Sequence, residues 1–284
     1  MYGAIIGDVV GSRFEFNNHR NKNFELFTKK SEFTDDTIMT IAVLDLLLHE
    51  KELLSKNIVD KIKYYGRKYP SSYGIKFGYW LNGNSYDSYN SFGNGAAMRV
   101  SPIGWMAKNE EQVKEWSKKI TEVTHSHPEG IKGAEVTAMC VYYAKNGKSK
   151  DFIKNYVGQY YDLEFNYEDL KKNYYFNETC QNTVPQAIYC FLISKNFEDC
   201  LRTSISIGGD SDTLAAISCG IAEAYYFNKN DKGLKKIQKK VIKYLPKEFL
   251  NILNEYLRSC NKNEQHRINL KKYNKRQEKE KNKW

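Results

Sequence analysis

The 284-residue chain is predicted to be all-α. Three observations carry this: apolar residues recur at helical spacing in nine segments, convincing period-2 alternation is scarce, and acidic or hydroxyl residues stand where the helical segments begin. The clearest segment is 35–50, where Ile38, Ile41, Ala42, Leu44 and Leu48 form one broad apolar face. Thr34 is placed there as N-cap, with Asp35 and Asp36 in the first turn. The same spacing predicts helices at 58–69, 110–123, 130–145, 185–194, 197–207, 210–228, 234–245 and 248–259. Residues 24–27 and 160–165 fit a short strand or a loop equally well. Gly83-Asn84-Ser85, Gly93-Asn94-Gly95 and Gly208-Gly209 read as loops of the kind that surround a cleft. No fixed-period repeat points to a solenoid, and no Pro- or Gly-rich linker divides the chain. The expected organisation is one domain over residues 1–260, followed by a basic tail, 261–284, that is helical or disordered.

The formal charge of +10 is concentrated in that tail, which holds nine Lys and Arg against three Glu and leaves about +4 for the rest. The tail could attract nucleic acid, but the body carries no helix-turn-helix or RNP motif, so a nucleic-acid binder is disfavoured. The six cysteines show neither CxxC pairs nor Cys/His spacing suited to zinc, and reduced thiols in a cytoplasmic protein are expected. The first residues lack a basic region before their apolar run and meet Asp8 early, against the pattern of a signal peptide. No apolar run reaches the roughly 18 residues of a membrane span.

Two acidic clusters carry the chemistry: Thr34-Asp35-Asp36-Thr37 and Gly209-Asp210-Ser211-Asp212-Thr213. A single Asp at a helix start is explained by capping and the helix dipole. Paired Asp residues with Thr beside them, repeated on a second helix, exceed what capping needs. They match the oxygen donors that Mg²⁺ or Mn²⁺ prefers. Phe92-Gly93-Asn94-Gly95-Ala96-Ala97-Met98-Arg99 is a glycine loop entering a helix, a geometry that can offer backbone N–H groups to phosphate. It is neither a Walker A loop nor a dinucleotide fingerprint. His125-Ser126-His127 lacks the further ligands that a transition-metal site requires.

Taken in order, Gly7-Asp8 with Gly11 and Glu15, Thr34 to Thr37, Gly93-Asn94-Gly95 with Met98-Arg99, His125 to Pro128, and Gly208 to Thr213, the chain resembles the ADP-ribosylglycohydrolase family. The resemblance implies an all-α domain with a binuclear metal cleft and hydrolysis of the bond between C1″ of ADP-ribose and an acceptor atom. It implies two Mg²⁺ (or Mn²⁺) ions held by Thr34, Asp35, Asp36, Asp210, Asp212 and Thr213. Glu15 would lie near the distal ribose as acid or gate, and Asp35 or Asp36 would hold the attacking water. Gly93, Asn94, Gly95 and Met98 would cradle phosphate and ribose, Phe92 would face the adenine, and His125 would approach the diphosphate or ribose. The expected partner is an ADP-ribosylated protein, arginine-linked as a first choice, or a small conjugate. The loops at 69–91 and 157–182 would set the acceptor. The alternative is a non-catalytic ADP-ribose-binding module, against which the intact acidic residues argue.

Overall fold

The computed structural model describes residues 1–71, 73–227, 229 and 231–260, so the tail at 261–284 lies outside the described residues. Two units are distinguished, Met1–Leu245 and a second that begins at Pro246, whose described part is helical over 247–260. The first unit contains α1 (Gly3–Gly11), α2 (Asp35–His49), α3 (Ser55–Lys68), α4 (Ile75–Asn82), α5 (Gly95–Met98), α6 (Ser101–Met106) and α7 (Glu110–Glu122). It continues with α8 (Pro128–Lys145), α9 (Lys150–Val157), α10 (Tyr167–Asn173), α11 (Val184–Ile193), α12 (Phe197–Ser206), α13 (Ser211–Phe227) and α14 (Lys232–Val241). Among the described residues there is no β-strand, only an isolated antiparallel bridge between Gly93 and Thr179. Residues 24–27 and 160–165 are non-helical connections.

The predicted helices recur within a few residues of their expected ends. The periodicity did not reveal α1, α4, α6, α9 or α10. Most surface helices begin as their sequences dictate. Asn109 accepts from the Gln112 amide (2.9 Å), Ser149 from Phe152 (3.1 Å), Asn196 from Asp199 (2.8 Å) and Asp231 from Gly233 (2.8 Å). The 3.6-residue pattern then turns one face inward. On α3, Ile58, Val59, Ile62 and Tyr65 are buried while the opposite side meets solvent.

Two central helices break that pattern. α13 is buried almost along its whole length and packs on α1, α8, α11 and α12, while α8 packs on α6, α7 and α13. α1 reaches α13 through Gly3, Gly7 and Gly11, a stripe at i, i+4 spacing. A Cβ on Gly3 would stand 2.2 Å from the Cys219 carbonyl oxygen, one on Gly7 2.2 Å from that of Ala215, and one on Gly11 2.5 Å from Cα of Asp212. The helices therefore run antiparallel with their backbones in contact. Glu223 near the far end of α13 accepts the Tyr2 (2.9 Å) and Gly3 (2.8 Å) amides that open α1. This contact brings Asp8 of α1 beside the beginning of α13.

Candidate active site

Carboxylates converge from three helices. Asp8 comes from α1, Asp35 and Asp36 from the first turn of α2, and Asp212 from the first turn of α13, with Asp210 just before it. Gly208 and Gly209, both at positive φ (77° and 74°), turn the chain into α13. Asn18 clamps this turn, accepting the Gly209 amide at 2.9 Å and donating to the Gly209 carbonyl at 2.8 Å. Ligand-capable oxygens of Asp8, Asp36 and Asp212 lie within 4.8 Å of one another, and so do those of Glu15, Asp210 and Asp212.

Thr34 holds the expected N-cap position of α2, but its side chain makes no capping bond to the helix. Its hydroxyl donates to Asp8 Oδ1 at 2.7 Å and makes a 3.5 Å contact with Asp212 Oδ2. The cap is Asp8, whose Oδ2 accepts the Thr34 (2.9 Å) and Thr37 (3.0 Å) amides. A carboxylate from α1 suits this end because three donors converge there beside the positive end of the α2 dipole. Thr213 donates to Asp36 Oδ2 at 3.1 Å, whereas Asp36 Oδ1 is buried without a donor.

Burial raises every carboxyl of the group, and repulsion by neighbouring carboxylates adds to it at Glu15, Asp35, Asp36 and Asp212. Burial alone lifts Asp8 to about 6 against the hydrogen bonds it accepts. Burial, then Asp8 and Asp210, lift Asp35 to about 7; burial, then Asp210 and Asp35, lift Glu15 to about 8. Asp36 and Asp212 move well upward, and Asp210 upward, with desolvation the leading cause in each. An all-oxygen donor set, a buried carboxylate oxygen without a partner and this accumulation of negative charge fit a hard divalent cation.

These shifts set the pH dependence of the metal-free protein. Below about pH 4 both folded and unfolded chains hold these protons, so the shifts contribute nothing. As pH rises the unfolded chain ionises first, and stability is lost progressively until the folded groups ionise, for Asp8, Asp35 and Glu15 between about 6 and 8. The expected result is a Tm gain from Mg²⁺ or Mn²⁺ of several degrees at pH 7.5 that shrinks towards zero at pH 5. Thermal unfolding with and without chelator at both values checks it.

Five of these carboxylates, all but Asp8, open onto a cleft of about 670 Å³. Glu15, Asp35, Asp36, Asp210, Asp212, Thr213, Phe92, Gly93, Asn94, Gly95, Met98 and His125 line it, whereas Thr34 stands behind the wall on Asp8. The glycine loop is pinned from across the cleft: Asn94 N donates to the Glu178 carbonyl (2.7 Å), Cys180 N to that of Phe92 (2.9 Å), and Gly93 N to Ser91 Oγ (3.0 Å). Two of the amides expected to face phosphate are therefore engaged. The Asn94 side chain donates to Asp210 Oδ2 at 2.7 Å and holds that carboxylate in place. Phe92 is half-exposed against His127, with ring centroids 5.2 Å apart. His125 is buried, and burial followed by the Arg99 charge holds its pKa well below the ordinary value, so it is neutral.

The sequence pattern gives Asp8 no role of its own, although Gly3, Gly7 and Gly11 are the signal that an Asp between them is pressed into the interior. Phe16, Phe176 and Glu178 also line the cleft, and the two phenyl rings stack at 5.7 Å. They come from connections without a periodic signature.

A family model described as ADP-ribosylglycohydrolase matches residues 1–263. The chain belongs to the ADP-ribosylglycohydrolase family. Among relatives it is 27% identical to human ADP-ribosylhydrolase ARH3, over 80% of this chain and 84% of that protein. It is 24% identical to the ADP-ribosyl-(dinitrogen reductase) glycohydrolase of Rhodospirillum rubrum, over 79% and 83%. A solved ADP-ribosylglycohydrolase-related protein complex shares the fold with a TM-score of 0.63 and 20% identity, covering 84% of this chain and 93% of that one. The all-α architecture is thus that of the ADP-ribosylglycohydrolases. Among the described residues no helix is long and apolar enough to cross a membrane.

Proposed function

We infer that this ADP-ribosylglycohydrolase is a metal-dependent enzyme that hydrolyses the bond between C1″ of the distal ribose and the acceptor atom of an ADP-ribosylated side chain. The observation that carries the reading is the convergence of Asp8, Asp36 and Asp212, and of Glu15, Asp210 and Asp212, each set with oxygens within 4.8 Å, with all of them but Asp8 lining one cleft. Asp36, Asp210, Asp212 and Thr213, with Thr34 and Asp35 at the margin, would hold two Mg²⁺ or Mn²⁺ ions. Bound there, the ions would orient the ribose hydroxyls and neutralise the clustered carboxylates. Asp8 fixes the frame by holding the start of α2, and Asn94 fixes Asp210. Asp35, half-buried on the cleft wall, would orient the attacking water and take its proton.

Glu15 is half-buried and lines the same cleft as Asp35, Asp36, Asp210 and Asp212, which suits a general acid delivering a proton to the leaving atom. Glu15→Gln is expected to lower kcat by about a hundredfold or more while leaving ADP-ribose affinity within a few fold. Steady-state kinetics with product-binding measurements check it. Equal losses in both would make Glu15 a binding residue.

On the acceptor side, Phe16 lies next to Glu15 in sequence, its ring stacks on Phe176, and Glu178 lines the same cleft. Aromatic faces beside carboxylates suit a planar cation, which supports arginine as the acceptor. The buried free thiols of Cys140, Cys180, Cys190, Cys200 and Cys219 suit a reducing compartment and support a cytoplasmic location. ADP-ribose release from arginine-, serine- and nucleic-acid-linked conjugates tests the acceptor: arginine should be released fastest, and preference for another would overturn that choice. ADP-ribose binding with release from none would turn the reading to a binding module.

A further inference from the structure

Arg99 immediately follows α5 and is 1% exposed, yet its guanidinium is bonded to no carboxylate. Nη2 donates to Thr124 Oγ1 at 2.6 Å and to His125 Nδ1 at 3.2 Å, while Nε is buried with no acceptor. The acidic groups whose charge would bear on it, Tyr89 and Cys180, are pushed up to about 12 by burial and are neutral at physiological pH. Burial lowers Arg99 itself only to about 10, so it stays charged. A buried cation without a counter-ion is strongly unfavourable, and a fold retains one most readily where an anion is to be met.

The position indicates which anion. Arg99 lines the cleft with His125, whose Nε2 lies 3.3 Å from where a Cβ on Gly95 would stand and 3.6 Å from one on Gly93. His125 Nδ1 faces the Arg99 donor at 3.2 Å and the Thr124 hydroxyl at 2.7 Å; since guanidinium can only donate, Nδ1 is assigned as the acceptor and the ring proton to Nε2, on the side of the glycine loop. Two of the loop's amides are already engaged, Gly93 with Ser91 Oγ and Asn94 with the Glu178 carbonyl, so the loop's own donors toward an anion are reduced. The cleft is thus negative where α2 and α13 begin and positive beneath Gly93 to Gly95.

We propose that Arg99 is a positioning residue that supplies the fixed counter-charge for the diphosphate of an ADP-ribosyl ligand and holds His125 as an Nε2–H donor towards it. This rests on the ligand reading given above. The test is calorimetry of ADP-ribose and of adenosine, with Mg²⁺, on wild type, Arg99→Gln and Arg99→Lys, each checked for thermal unfolding. Losing a charged partner should weaken ADP-ribose binding by about tenfold to a hundredfold in Arg99→Gln. Adenosine affinity should stay within about twofold, and Arg99→Lys should recover part of the loss. If Arg99→Gln does not fold, Arg99→Lys carries the test: ADP-ribose weaker by several fold, adenosine unchanged. Equal losses for both ligands, or none for either, would make Arg99 structural and overturn the proposal while leaving the ligand reading intact. A wild-type protein that does not bind ADP-ribose would overturn both.

Discussion

Asp212→Ala is expected to abolish turnover, lowering kcat by about a thousandfold or more, and to remove the thermal stabilisation given by Mg²⁺ or Mn²⁺. Asp212 is the carboxylate shared by both oxygen clusters, so its loss depletes both at once. The same substitution should leave the chelated protein as stable as wild type or more so. Asp212 is buried, and Asp210 and Asp36 oppose its ionisation, so removing it relieves repulsion. The two halves of this result together separate a metal ligand from a residue needed only for folding. Calorimetric metal titration, melting with and without chelator and turnover on one preparation check it. Wild-type metal affinity and kcat in this variant would refute the assignment.

Gly7→Ala is expected to destabilise the protein by about 3 kcal/mol, against the helix propensity that ordinarily favours Ala over Gly by about 1 kcal/mol. The added Cβ would lie 2.2 Å from the Ala215 carbonyl oxygen, 2.3 Å from its carbon and 2.5 Å from the Ala216 nitrogen. All three are backbone atoms of a buried helix and cannot step aside as a side-chain end could. α1 would have to separate from α13, drawing Asp8 away from Asp212 and the start of α2, so metal affinity should fall as well. Gly78→Ala in α4, where nothing lies within 4 Å of the added carbon, is the control and should be neutral or stabilising. Urea unfolding midpoints of the chelated proteins decide the matter; a Gly7 variant as stable as the Gly78 variant would show that α1 and α13 do not need backbone contact.

What is legible in the amino-acid sequence follows a physical rule. α2 and α13 were legible because paired Asp residues at two helix starts, Asp35 with Asp36 and Asp210 with Asp212, exceed the needs of capping, and that excess is the signature of the cluster. α1 was not: its nine residues have no polar face, so its burial leaves no amphipathic period to detect. For the same reason Asp8, the residue that organises the start of α2, carried no recognisable role. Asn94 was expected to face the ligand, and its side chain holds Asp210, because spacing shows that a polar group is near a loop and not which neighbour takes it. Phe176 and Glu178 lie on a connection whose placement depends on the Asn94 bond and the Gly93–Thr179 bridge, pairings across more than eighty residues that no local pattern encodes. The tail at 261–284 was read from charge alone and lies outside the described residues.

The most direct test of the central claim is ADP-ribose release from an ADP-ribosylated protein by the wild-type chain as purified, after chelation, and after return of Mg²⁺ or Mn²⁺. Release that stops on chelation and returns with either ion is the predicted result. Release at an unchanged rate in the presence of chelator would contradict a metal-dependent hydrolase built on these carboxylates.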